Sequence, residues 1–291
     1  MSQERPKVLV LGASGGVGSL VYSSLEKTEL YDVTGTYFQH PKSDLVFCDI
    51  HDRENLKRVI GGCQPKYILN FAGLAQEKLC QNEKQRAYET NVSGVENIVR
   101  LSSDYSINLM YPSTINVFSG YTHNEICDEK THPLTKADSI YGQNKIEAEK
   151  IVQSSSLVWA IPRTDLVLSP EFGITKLFEK NQFAQIRINA IRFPVFIESY
   201  SIYIQSFIEN PFEAAGITHL ISSEFKNGVS LVNLAEIIIK RFNLADSSEI
   251  ISGTTELIPR TDKKSPMPIY VDNQANTLAT EKRLFVSTPR Y

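Results

Sequence analysis

Tyr141 and Lys145 stand four residues apart in the run "YGQNK", a spacing that puts a phenol and an ammonium on one face of a helix. A phenol with a pKa of about 10 moves a proton poorly near neutrality unless a neighbouring cation favours the phenolate. Such a pair could exchange a proton with a carbonyl or hydroxyl oxygen. A further hydroxyl is available in "STINVF", as Ser113 or Thr114. Tyrosine and lysine at this spacing also occur on many surface helices, so the pair takes its meaning from what else the chain carries.

Far upstream lies "GASGGVG", from Gly12 to Gly18, between the apolar run "KVLVLG" and a stretch from Val17 to Leu25 with apolar residues at helical spacing. This order predicts a buried strand, a loop and a helix. Gly12 can turn the chain tightly, Gly15 lets backbone approach a pyrophosphate, and Gly18 permits close helix-to-strand packing. With Ser14, Gly16 and Val17 between them, free amides at the helix start would face an anion. A glycine triplet can also be a plain turn; directly after an amino-terminal strand it predicts a dinucleotide cradle.

The glycine spacing is Gly-x-x-Gly-x-x-Gly, and together with "YGQNK" it resembles the short-chain dehydrogenase/reductase superfamily in its extended branch, which acts on sugar nucleotides. Within that branch the chain is similar to the dTDP-4-dehydrorhamnose reductases and their relatives, which include the regulatory beta subunit of methionine adenosyltransferase. The resemblance implies an acid beside the adenine at Asp49-Ile50, a strand end over the cofactor at Phe71, Ala72 and Gly73, and a site residue at Asn91. Aligned on Val117-Phe118, Thr114 matches the hydroxyl that polarises the carbonyl, with Ser113 as its neighbour. Lys145 would lower the Tyr141 pKa and hold the nicotinamide ribose. NADP is the expected cofactor, with NAD possible, because "GTYFQHP" ends the second strand without the ribose-reading carboxylate. Thr36 and Tyr37 stand there instead, and Ser14, His40 and Lys42 could meet a 2′-phosphate; His40 and Lys42 fit a solvated turn at Pro41 equally well.

Departures from the pattern bear on the reaction. The reductases read Ser-Thr-Asp-Tyr-Val-Phe where this chain has Ile115 and Asn116, so one substrate-facing polar group is lost. A polar cluster after the fourth strand is replaced by "LAQEKLCQ", whose Glu77, Lys78 and Gln81 are substitutes or simply solvated. The stretch 169–191 is short for the branch. A 4,6-dehydratase is disfavoured, since Ile115-Asn116 supplies no acid or base. The expected function is therefore an NADP-dependent reductase of a nucleotide-linked 4-keto sugar or related carbonyl compound, with a nucleotide-sugar epimerase as the lesser alternative. The competing expectation is a cofactor-binding regulatory subunit of another enzyme.

The elements that must position these groups follow from the apolar rhythm. "DVTGTYF", "LVFCDI", "YILNFAG", "INLMYPS" and "LVWAIPR" alternate with helical stretches up to about residue 165. This predicts an α/β, doubly wound parallel Rossmann sheet with a smaller C-terminal substrate lobe. The division is 1–168 for the nucleotide-binding domain and 169–291 for the lobe and tail, with exchange of segments allowed. "GVSLVNLAEIIIKRF" predicts an amphipathic helix capped by Ser230, with Leu231, Leu234, Ile237 and Ile238 on one face. The tail from Pro259 to Tyr291 holds four prolines and reads as a surface strap or a partly disordered segment. Amphipathic patterns in 82–103 and 140–154 suggest a homodimer.

Thirty basic against 33 acidic residues give a net charge of −3, too little to favour nucleic acid or an anionic membrane. No apolar run reaches the roughly 18 residues of a membrane span, and "MSQERPK" leads into a strand without a signal-peptide core, so a cytoplasmic protein is expected. Cys48, Cys63, Cys80 and Cys127 lack ligand spacing and read as ordinary small thiols; no metal site is expected.

Overall fold

The computed structural model describes residues 4–119, 129–133, 137–173, 175 and 191–242. Cys127, most of the stretch 169–191 and the tail from Pro259 lie outside the described residues. The strands are β1 (Lys7–Leu11), β2 (Asp32–Tyr37), β3 (Val46–Phe47), β4 (Tyr67–Asn70), β5 (Asn108–Met110), β6 (Ser113–Thr114), β7 (Trp159–Thr164), β8 (Val167–Leu168), β9 (Ile191–Arg192), β10 (Val195–Phe196), β11 (Gly216–His219) and β12 (Val229–Ser230). The helices are α1 (Gly16–Thr28), α2 (Arg53–Cys63), α3 (Glu77–Asn82), α4 (Lys84–Tyr88), α5 (Gly94–Asp104), α6 (Ile140–Gln153), α7 (Ile197–Glu209) and α8 (Leu231–Phe242). A π-helical turn, Glu89–Ser93, joins α4 to α5.

The main sheet runs β11-β7-β5-β4-β1-β2-β3, with β6 also paired to β7, and every pairing in it is parallel. Side chains alternate between its faces, so both must be covered. Val8, Val10, Tyr67 and Leu69 pack on one side with Val21 and Leu25 of α1 and Ile204 and Phe207 of α7. Leu9, Leu11 and Ile68 pack on the other with Leu56 and Ile60 of α2, Val95 and Ile98 of α5, and Ala148 and Val152 of α6. This is the doubly wound arrangement expected. β1 lies between β2 and β4, so the chain order reverses there and opens a crevice at the carboxyl ends of β1 and β4, where this class of sheet takes its ligands.

Two expectations are corrected. The run "LVFCDI" gives only the two residues of β3, because this edge strand pairs with β2 alone, and both its side chains are exposed. The alternation also continues beyond residue 165: β11 pairs with β7, and α7 covers the sheet beside α1. A third core gathers Ile115, Leu168, Phe193, Phe196, Phe225, Leu231, Leu234 and Ile238. Ser230 Oγ caps α8 by accepting from Asn233 N at 3.2 Å. Among the described residues no helix is long and apolar enough to cross a membrane.

Candidate active site and cofactor cradle

The first half of the site is set by backbone. Gly12 has φ 78°, and a Cβ there would lie 2.7 Å from Ala72 N and 2.8 Å from the Phe71 carbonyl carbon. A Cβ on Gly18 would run into the Gly12 carbonyl oxygen. Only glycine lets the ends of β1 and β4 and the start of α1 come this close. Gly15 caps α1 in extended conformation, and its N–H donates to Gly12 O at 3.0 Å. Ser14, Gly16 and Val17 belong to the same turn, and the ring of Phe172 rests against Gly16 where a Cβ would stand. Nothing in the sequence marks Phe172 for this position; it comes from beyond β8. The crevice, the glycine-rich loop and the amides opening a 13-residue helix fit a pyrophosphate.

Thr36 holds this loop from the neighbouring strand. Its Oγ1 accepts from Gly12 N at 3.1 Å, and the side chain is buried. Thr36 stands where the ribose-reading acid is absent, and its hydroxyl is committed to the glycine turn. Tyr37 is half-buried and meets Phe47 edge-to-face, with Phe38 beside Phe47 in turn. Asp49 accepts from His51 N and pairs with His51 Nδ1 at 2.8 Å. Ile50 is buried, its side chain packed where a Cβ on Gly94 would stand; it offers backbone, not a side chain, to any ligand.

Asn91 lies in the π-helical turn and clamps the loop after β4. Its Oδ1 accepts from Leu74 N at 2.8 Å while its Nδ2 donates to Leu74 O at 2.9 Å. Asn70 Oδ1 accepts from Ala72 N at 3.1 Å. Phe71, Ala72 and Gly73 are thus fixed over the crevice by two buried amides. Asn91 acts through that loop.

The second half is set by side chains. Thr114 ends β6 and caps a 3-10 turn, Ile115–Phe118, its Oγ1 accepting from Asn116 N at 3.2 Å. Tyr141 and Lys145 share a face of α6, whose first turn is capped by Ser139 Oγ accepting from Gly142 N. Lys145 Nζ donates to Pro112 O at 2.8 Å and stands 4.3 Å from the Tyr111 ring centroid and 5.9 Å from that of Tyr141. Burial pulls the ammonium down to about 8, opposed chiefly by the charge of Glu149. Burial pushes the Tyr141 phenol up, with Cys80 and Glu77 adding to the effect. Against the expectation that Lys145 lowers the Tyr141 pKa, burial raises it; the ammonium is turned to the Pro112 carbonyl and the Tyr111 ring, and the phenol carries its proton at neutral pH.

Behind this pair lies a group that sequence reasoning missed. Arg163 on β7 makes a two-pronged pair with Glu149 of α6, Nε to Oε1 at 2.9 Å and Nη2 to Oε2 at 2.6 Å, both side chains at most 2 % exposed. Ser113 Oγ donates to the same carboxylate at 2.5 Å. Glu149 follows Lys145 by one further helical turn, so this spacing was the available signal. The network ties β6, β7 and α6 together and so sets Thr114 relative to Tyr141 and Lys145. Among the polar substitutes, Glu77 accepts from Asn116 Nδ2 at 2.8 Å, while Lys78 and Gln81 are exposed. An open cleft of about 680 Å³ lined by Lys7, Asp32, Asn55, Arg58 and Cys63 lies by the amino ends of β1 and β2, away from these groups.

With this geometry established, residues 6–282 match the family model described as the RmlD substrate binding domain. The chain is 22% identical over 250 residues to methionine adenosyltransferase 2 subunit beta of Xenopus laevis, covering 83% of this chain and 73% of that protein. It is 27% identical over 168 residues to a dTDP-4-dehydrorhamnose reductase of Aggregatibacter actinomycetemcomitans, covering 57% and 53%. In structure it is similar to a dTDP-4-dehydrorhamnose reductase of Bacillus anthracis solved with NADP, at TM-score 0.73 and 21% identity over 99% of this chain and 95% of that one. It is also similar to a UDP-glucose 4-epimerase of Thermotoga maritima solved with UDP-glucose, at TM-score 0.68 and 17% identity over 93% and 91%. At these identities the structural likenesses establish the fold.

Proposed function

The chain belongs to the RmlD substrate binding domain family, and from that premise we propose that it is an NADP-dependent reductase of a nucleotide-linked 4-keto sugar or a related carbonyl compound. The observation that carries this reading is the placement of Thr114, Tyr141 and Lys145 at the carboxyl edge of the sheet that also holds the glycine cradle. Gly12, Ser14, Gly15, Gly16, Val17 and Gly18 would hold the pyrophosphate, Tyr37, Asp49 and Ile50 would line the adenosine end, and Phe71, Ala72 and Gly73, secured by Asn91, would lie under the dinucleotide. When bound, the cofactor supplies hydride to the carbonyl carbon. Thr114 orients the carbonyl oxygen by a hydrogen bond. Tyr141, protonated because burial disfavours its phenolate, gives its proton to that oxygen as negative charge develops there. Lys145 contacts the ribose and keeps positive charge near the phenol. Preference for NADP is supported by the β2 end, Thr36-Tyr37-Phe38, which lacks the carboxylate that repels a 2′-phosphate; NAD remains the alternative cofactor.

A second reading has specific support. Ile115 is buried in the third core and gives the site no polar group, and relatives include the methionine adenosyltransferase beta subunit. In that reading the chain keeps the cradle and docks on a partner enzyme. The division at residue 168, the substrate lobe beyond it and a homodimer through 82–103 and 140–154 belong to the proposal in either form. The two readings separate in one assay: NADPH oxidation with a panel of nucleotide-linked 4-keto sugars is expected for the reductase. Its absence, with a partner enzyme co-purifying, favours the regulatory subunit.

A further inference from the structure

Glu77 and Asn116, 39 residues apart in the chain, meet beside the candidate proton donor, where Asn116 Nδ2 donates to Glu77 Oε1 at 2.8 Å. Each is placed independently. Asn116 is held by its own N–H on Thr114 Oγ1, so its amide stands next to the carbonyl-orienting hydroxyl. Glu77 opens α3, which packs against α6, and its negative charge reaches Tyr141. Ile115, between Thr114 and Asn116, turns into the third core with Leu168, Phe193 and Phe196. The turn that carries the hydroxyl therefore offers substrate no acid of its own. Glu77 is exposed, and its second oxygen has no partner among the described residues.

We propose that Glu77, oriented by Asn116, is a specificity residue that accepts a hydrogen bond from a hydroxyl on the carbon beside the substrate's carbonyl. This assignment rests on the reductase reading. An ionised carboxylate with one oxygen already satisfied is a strong acceptor for one further donor. It repels a carboxylate or phosphate in the same place, so the substrates selected are α-hydroxy ketones neutral at that carbon. A site built to hydrogen-bond a hydroxyl discriminates against the analogue lacking it, because bound substrate displaces solvent from the Glu77 carboxylate and the analogue then leaves its second oxygen unpaired.

The test compares kcat/KM for a nucleotide-linked 4-keto sugar with that for the analogue lacking the hydroxyl beside the carbonyl, using NADPH oxidation by the full chain. Glu77→Gln keeps an oxygen for Asn116 and removes the charge; Glu77→Ala removes both. The unmutated chain should prefer the hydroxylated substrate. Both variants should reduce that preference roughly ten- to hundredfold, the scale of a charge-assisted hydrogen bond, mainly through KM, with NADPH affinity by fluorescence titration unchanged. A preference retained in Glu77→Gln, with NADPH bound normally, overturns the assignment and leaves the reductase reading standing. If the unmutated chain reduces neither compound, the reductase reading fails and this assignment falls with it.

Discussion

The two halves of the site are held in different ways. Around the glycine loop, position is set by what is missing: Gly12 and Gly18 admit neighbouring backbone where a Cβ would stand, and Thr36 adds one hydrogen bond. Around Thr114, Tyr141 and Lys145, position is set by what is present, a buried Arg163, Glu149 and Ser113 network linking two strands to one helix. A backbone-built cradle tolerates little change at its glycines. A side-chain-built site depends on keeping an ion pair complete, since each buried charge is stable only with its partner.

Breaking the ion pair should have the largest effect. Glu149→Ala leaves the Arg163 guanidinium buried without its counter-charge and should cost about 3–5 kcal/mol of stability, measured by urea unfolding. Loss of less than about 1 kcal/mol would mean that solvent or another group takes over the charge. Next comes the cradle. Gly18→Ala should displace the Gly12 carbonyl, destabilise by about 1–3 kcal/mol and abolish NADPH binding, whereas Gly15→Ala, whose Cβ would meet only Gly12 O at 3.3 Å, should be milder on both counts. Equal effects of the two substitutions would show that the loop is not held by backbone approach.

A smaller effect is written in the pH dependence of Lys145. Its folded pKa of about 8 lies below the ordinary value of 10.5, so the folded protein binds fewer protons than the unfolded chain between those values. The contribution of this group to stability therefore rises with pH over that window. Compared with Lys145→Met, the unmutated chain should gain relative stability from about pH 8 to about 10.5, read as the difference in Tm. Its kcat/KM should fall over the same rise as the ammonium loses its proton. A difference in Tm that is flat with pH would contradict the buried, depressed lysine.

What could be read in the sequence follows the same divide. Glycine spacing is a direct record of backbone approach, so the cradle, the strand before it and the helix after it were legible from "KVLVLGASGGVG". The alternation of apolar runs gave the parallel sheet as far as β7. Arg163 and Glu149 were not legible, because a buried charge looks like any surface charge until its partner, 14 residues away, is folded against it. Asn91 was recognised by resemblance, but its role as a clamp on Leu74 depends on a π-helical turn that periodicity does not reveal. Thr36 was read only as standing where an acid is absent; the fold shows its hydroxyl accepting from Gly12. β11 and α7 were missed because their sequences follow a stretch without clear rhythm, yet they return to the first sheet.

The central claim is that the cradle binds and the side-chain half transfers the proton, so the two functions should separate under one atomic change. Tyr141→Phe removes only the phenol oxygen. NADPH dissociation constants, taken by fluorescence titration, should agree between this variant and the unmutated chain, while NADPH oxidation with a nucleotide-linked 4-keto sugar falls by about a hundredfold or more. Oxidation that survives the substitution at near its original rate, or an equal loss of NADPH binding, would contradict the account.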